Sequence, residues 1–101
     1  MIVEFSIVPM GKGVSLSRHV ALVIDEVEKS GLDYRLTPMG TVIEGEPRKV
    51  FDLLFRCHML MRKRSARVLT TIRIDDRQGA KGAISKKVAS VEKKLKRPVK
   101  K

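Results

Sequence analysis

The chain has 101 residues, 43% of them hydrophobic and 33% charged, and carries a formal net charge of +11. That length suits one domain, and an apolar fraction near the globular norm excludes wholesale disorder. The single cysteine, Cys57, excludes an intrachain disulfide and a cysteine-rich zinc site, and no apolar run approaches the ~18 residues of a membrane span.

Ile2 to Val8 is rich in β-branched residues, with Phe5 at its centre and Pro9 ending it, and it reads as a strand. A loop with two glycines follows, and Ser15 or Ser17 is placed to cap a helix. Along that helix Val20, Val23, Ile24 and Val27 recur at helical spacing, with Asp25, Glu26, Glu28 and Lys29 on the other side. Gly31 stops it. Tyr34 to Thr37 and Thr41 to Glu44 are short strands around the turn Pro38-Met39-Gly40, a hairpin. Pro47 opens the next helix. There Val50, Leu53, Leu54, Cys57 and Met61 step at i, i+3, i+4, i+7 and i+11, the clearest amphipathic stripe in the chain. Ser65-Ala66 break the helix, and Arg67 to Asp75 alternates as a fourth strand. Ser85 to Lys96 is a last short helix, with Val88, Val91 and Leu95 on one side.

The order β-α-β-β-α-β plus a terminal helix predicts an α+β, ferredoxin-like fold. Its four-stranded antiparallel sheet would carry helices on one face, in one domain over residues 1–96 with a flexible basic tail at 97–101. The strands hold more apolar residues than one covered face needs. The other face is therefore expected to be wet or covered by another copy of the chain.

The charge is uneven. Lys81 to Lys101 holds nine Lys/Arg against one acid, Glu92, for +8, and the first 80 residues hold 13 basic and 10 acidic side chains, for +3. Such a segment suits nonspecific contact with nucleic acid. A base-stacking sheet is a poorer match, because the chain is only 4% aromatic and Phe5 and Tyr34 are its only strand aromatics. Met1-Ile2-Val3-Glu4 lacks the regions of a signal peptide, so a cytoplasmic protein is expected.

The chemistry-bearing residues do not assemble into an evident catalytic set. Gly11-Lys12-Gly13 before a helix N-terminus is a possible anion site, although the Gly-Lys-Ser/Thr end of a P-loop is missing. Cys57 and His58 are adjacent on a helix and point about 100° apart, and His19 is isolated, so no metal site is expected. Cys57 lies on the core stripe, where a thiol is inert. Asp75-Asp76-Arg77 at a strand end could pair internally or hold an oligomer contact. A glutamate within a short apolar strand, Glu44, must face water, a partner charge or a cationic ligand, with Arg35 or Arg73 the ordinary partners. Gly45 beside it permits close approach to the backbone. No enzyme is expected.

Several segments together resemble one family. They are Ile7-Val8-Pro9-Met10-Gly11 with Val14-Ser15-Leu16-Ser17; Ser30-Gly31-Leu32-x-Tyr34; Pro38-Met39-Gly40-Thr41-Val42-Ile43-Glu44-Gly45; His58; Arg67 to Arg77; and Lys87-Val88-x-Ser90-Val91-Glu92. Over residues 1–95 the chain resembles the small thiamine-binding proteins. The resemblance implies a homotetramer built as a dimer of dimers. It also implies non-catalytic binding of thiamine or its hydroxymethylpyrimidine moiety, with no cofactor. The matching positions make Ser15, Met39, Gly40, Thr41, Glu44, His58 and Thr70 the ligand-binding candidates. Glu44 is best suited to the thiazolium cation, the Ser15 and Thr41 hydroxyls to ring nitrogens, and Met39 to an apolar wall. Lys12 stands where the family usually has a threonine. The alternative function is a basic oligomer that contacts nucleic acid.

Overall fold

The computed structural model describes residues 1–101 and contains seven elements. In chain order they are β1 (Ile2–Pro9), α1 (Ser17–Ser30), β2 (Asp33–Thr37), β3 (Gly40–Glu44), α2 (Pro47–Arg62), β4 (Val68–Asp75) and α3 (Ala83–Leu95). The strands form one antiparallel sheet of order β2-β3-β1-β4. This is the ferredoxin-like arrangement that the sequence order predicts.

Strand alternation divides the sheet into two chemically distinct faces. The register sets Val3 beside Ile43 and Ile74, and Phe5 beside Thr41 and Ile72. This face receives α1 and α2. Val3, Phe5 and Ile43 are buried against Val23 and Val27 of α1 and against Val50, Leu53, Leu54, Cys57 and Met61 of α2. All five residues of the α2 stripe are in the core, as their spacing requires. The α1 stripe is only half used: Val20 is 37% exposed at its open end.

The ends of α1 are made differently. Gly31 adopts φ 74° and donates its N–H to the Glu28 carbonyl, a left-handed stop. At the start, Leu16 occupies the capping position and no side chain caps the helix. Neither Ser15 nor Ser17 plays the capping role expected of it. Ser65, buried after α2, sits 2.8 Å from the carbonyls of both Met10 and Arg67, tying the end of that helix to β1 and β4.

The second face carries Ile2, Glu44 and Asp75 in one row across β1, β3 and β4. Here α3 is anchored. The Glu44 carboxylate accepts hydrogen bonds from the Ala83 and Ile84 N–H groups, at 2.7 and 3.1 Å. The first N–H groups of a helix have no intrahelical acceptor, and a negative charge there complements the helix dipole. Residue 82 is a glycine at φ 68° and offers no capping side chain, so β3 supplies the cap. This accounts for a helix that begins at Ala83, two residues before the start expected from the sequence. One turn on, Lys87 pairs with Asp75 and holds its carboxyl below the usual carboxylate range. The end of the second face is thus covered by the chain's own α3, where the sequence left only water or another copy.

The segment after α3, read from the sequence as a basic tail, makes contacts with the helix. The Val99 N–H and the Lys101 ammonium both donate to the Glu92 carboxylate, each at 2.8 Å, and fold residues 97–101 back on the helix. Gly45 is tight for a local reason: a Cβ there would come within 2.8 Å of the Leu32 side chain.

Glu44→Ala should detach α3, because it leaves two helix N–H groups without an acceptor. A loss of about 1–2 kcal/mol is expected, or roughly 5–10 °C in melting temperature for a domain of this size. Amide exchange should show early loss of protection confined to residues 83–95. Unchanged stability would mean that the cap contributes nothing.

Candidate functional site

The site originates in a mismatch of strand lengths. Along one edge β1 pairs with β4 from Ile2 to Pro9, but along the other it pairs with β3 only from Ile2 to Phe5. The β2–β3 hairpin turns back at Pro38-Met39, so no strand lies beside the last part of β1. With α1 passing over the gap, the result is a groove of about 1140 Å³. Its floor is Phe5, Ile7 and Val8, its helix wall Leu16, Val20, Ala21 and Ile24, and its hairpin wall Leu36, Met39, Gly40 and Thr41.

Local chemistry makes the hairpin wall rigid. Thr37 Oγ1 accepts from the Met39 and Gly40 N–H groups at 3.2 and 3.1 Å and donates to the Gly40 carbonyl at 2.9 Å. Gly40 lies hard against β1: a Cβ at this position would sit 3.0 Å from the Phe5 carbonyl oxygen. Thr41 is buried beside it, whereas Met39 is 86% exposed at the lip. The turn therefore combines one fixed polar edge with one mobile apolar cover.

The electrostatics of the groove are opposite to those of the chain. Its only charged lining residues are Asp25 and Glu28, on a protein of net charge +11. The Tyr34 hydroxyl donates to the Glu28 carboxylate at 2.6 Å, which raises the Tyr34 pKa and fixes the acid at the wall. Asp25 is paired with Lys29 at 3.0 Å, one turn along α1.

Of the residues proposed from the sequence, Met39, Gly40 and Thr41 meet in this groove. Ser15 does not line it; Ser17 does. Glu44 is on the opposite face, occupied by the start of α3, so it cannot be the counter-charge of a ligand held at Met39. It pairs with neither Arg35 nor Arg73. His58 Nδ1 and Thr70 Oγ1 lie 2.6 Å apart between α2 and β4. Thr70 stands opposite Ile7, one strand away from the groove, and neither residue lines it. The Gly11-Lys12-Gly13 loop is exposed and bounds neither of the two main cavities. Sequence reasoning missed Glu28 and Asp25. The available signal was helical: Glu28 follows Ile24 by four residues, so it continues the stripe that leaves the core at Val20.

No three His, Cys, Asp or Glu side chains gather at one point. Cys57 is fully buried, and desolvation pushes its thiol from an ordinary 9.0 up to about 11.

The sequence and the fold match a known family. The thiamine-binding protein family matches residues 3–92, and the chain belongs to that family. A UPF0045 protein of Staphylococcus xylosus is 39% identical over 100 residues, covering 93% of this chain and 94% of that one. A UPF0045 protein of Bacillus subtilis is 37% identical over 100 residues, with 93% and 96% covered. Among solved structures, a Methanocaldococcus jannaschii protein superimposes with a TM-score of 0.83 at 30% identity, over 89% of this chain and 93% of that one. A Thermotoga maritima protein with a provisional thiamine biosynthesis/salvage name shares the fold, with a TM-score of 0.78 at 22% identity over 89% and 96%.

The buried thiol gives a pH prediction. In the unfolded chain Cys57 ionises near 9, whereas the folded chain retains the proton to about 11. The unfolded state therefore loses its proton first, and stability falls as pH rises through that window, by about 2–3 kcal/mol in all. Denaturant titrations between those limits should show this loss in the wild type and a smaller one in Cys57→Ala. Equal slopes would contradict the assignment.

Proposed function

We propose that the chain binds thiamine or a thiamine-related pyrimidine, without catalysis, in the groove between α1 and the β2–β3 hairpin. The observation that carries this reading is an apolar groove whose only charges are carboxylates, on an otherwise cationic protein. Thiamine joins an aminopyrimidine to a permanently cationic thiazolium. The cation suits Glu28, since Asp25 already has Lys29 as its partner. The aminopyrimidine needs neighbouring donors and acceptors, and the edge of β1 beyond Phe5, left without a β3 partner, offers backbone groups of both kinds. Family membership supports the ligand class.

Self-association belongs to the same reading. Ile72 and Ile74 of the edge strand β4 and Phe51 and Phe55 of α2 are exposed, Phe55 by 67%. Such a surface on a small protein suits burial against another copy. Light scattering should give about four times the chain mass of 11.4 kDa, and a monomeric result would exclude this part. For nucleic acid the sheet offers no stacking platform: Phe5 is buried and Tyr34 is bonded to Glu28.

Glu28→Gln isolates the electrostatic contribution while keeping the shape. At a partly solvated site it should weaken thiamine about three- to tenfold by calorimetry. Uncharged hydroxymethylpyrimidine should bind the variant as it binds the wild type. Equal weakening of both ligands, or of neither, would remove Glu28 from the site.

A further inference from the structure

The second main cavity lies on the other face of the sheet, and its chemistry is the reverse of the groove's. It is a cleft of about 400 Å³ between the loop after β4 and the first turns of α3. Its charged lining groups are Arg77, Lys81, Lys86, Lys87, Glu44, Asp75 and the Met1 ammonium, which donates to the Gly45 carbonyl and pairs with Asp76. Both acids are already engaged. Glu44 takes the Ala83 and Ile84 N–H groups, and Asp75 takes Lys87. That leaves Arg77, Lys81 and Lys86 around one opening, none with a carboxylate within 4.0 Å.

The backbone holds these cations together. The Ala80 N–H closes a turn onto the Arg77 carbonyl at 3.0 Å, and Gly79 and Gly82 adopt φ 78° and 68°. The loop thus doubles back and brings Arg77 and Lys81 to the start of α3. Lys86 lies back along the helix over Gly82, its Nζ 3.9 Å from where a Cβ would stand. Ser90, one turn further, adds a hydroxyl to the wall. Converging cations repel one another until an anion joins them, and a guanidinium beside two ammonium groups matches the tetrahedral oxygens of a phosphate.

We propose that this cleft binds the phosphate group of a small phosphorylated molecule through Arg77, Lys81 and Lys86. The Ala83 and Ile84 N–H groups do not contribute, since Glu44 occupies them, and the proposed contacts are made by side chains. Its volume falls within the range of small-molecule pockets and leaves room for more than the bare ion. It faces away from the α1 groove, so the two sites are independent within one chain.

Glycerol 3-phosphate and inorganic phosphate, titrated into the full chain by calorimetry at low salt, test the proposal. Saturable binding at one site per chain is expected for glycerol 3-phosphate. The triple variant Arg77→Gln, Lys81→Gln, Lys86→Gln should weaken it at least about tenfold, the effect of losing charge-assisted contacts. Lys93→Gln with Lys94→Gln and Lys96→Gln removes the same charge outside the cleft and should leave affinity unchanged. Tighter binding of glycerol 3-phosphate than of phosphate supports a phosphorylated metabolite. Equal binding supports the proposal with the free ion as occupant. The proposal is overturned if neither probe saturates at millimolar concentration, or if the control variant weakens binding as much as the triple. It is also overturned if a single-stranded RNA oligonucleotide binds while both small probes do not. All three exchanged residues are exposed, so an unchanged melting temperature identifies a folded variant. Thiamine binding in the groove should be unaffected by the triple exchange, so loss of thiamine binding would count against the groove and not against the phosphate site.

Discussion

β1 is the constraint on which the structure depends. It has partners on both sides and outruns one of them by four residues, because β3 ends its pairing at Phe5 while β4 continues to Pro9. A β3 four residues longer would complete the ladder along Ser6 to Pro9 and fill the groove. The short turn at Pro38-Met39, fixed by the Thr37 hydroxyl and pressed onto β1 at a glycine, keeps that edge open. The α1 stripe then has nothing to cover at its start, and Val20 becomes a groove wall instead of a core residue.

Strand alternation from the same β1 separates two chemistries. Odd-numbered residues of β1 face α1, α2 and the acidic groove, while Ile2, in register with Glu44 and Asp75, faces α3 and the basic cleft. On a chain of net charge +11, the groove needs local carboxylates to be attractive to a cation, since exposed charges further away are screened within about 10 Å. Keeping the lysines of α3 on the opposite face preserves that difference. Glu44 is central to this division: by capping α3 it fixes the basic helix to the far face and removes itself from the groove.

The elements and the core were legible in the sequence wherever one periodicity was unambiguous. The α2 stripe from Val50 to Met61 was readable because all five residues are buried by one surface. The element order followed from hydrophobic periodicity and the hairpin turn. The site was only partly legible. Met39, Gly40 and Thr41 lie in a contiguous turn, and contiguous motifs survive folding as neighbours. Glu44 was misplaced because its partner, the start of α3, is 39 residues away, and no local pattern reports a cap supplied by another element. Glu28 was missed for the converse reason: on a helix surface a carboxylate looks solvated, and only the gap beside β1 turns it toward a cavity. The basic cleft was hidden because its three cations are scattered along a charge-rich segment, and they converge only through the glycine turns of the loop.

The location of thiamine in the α1–hairpin groove is the central claim, and amide chemical-shift mapping during a thiamine titration tests it most directly. Binding in the groove should place the largest perturbations at Ser6 to Val8, Thr37, Met39 to Thr41 and the α1 residues from Val20 to Glu28, with residues 77–90 unmoved. Perturbations centred on α3, or confined to the surroundings of His58 and Thr70, would contradict it.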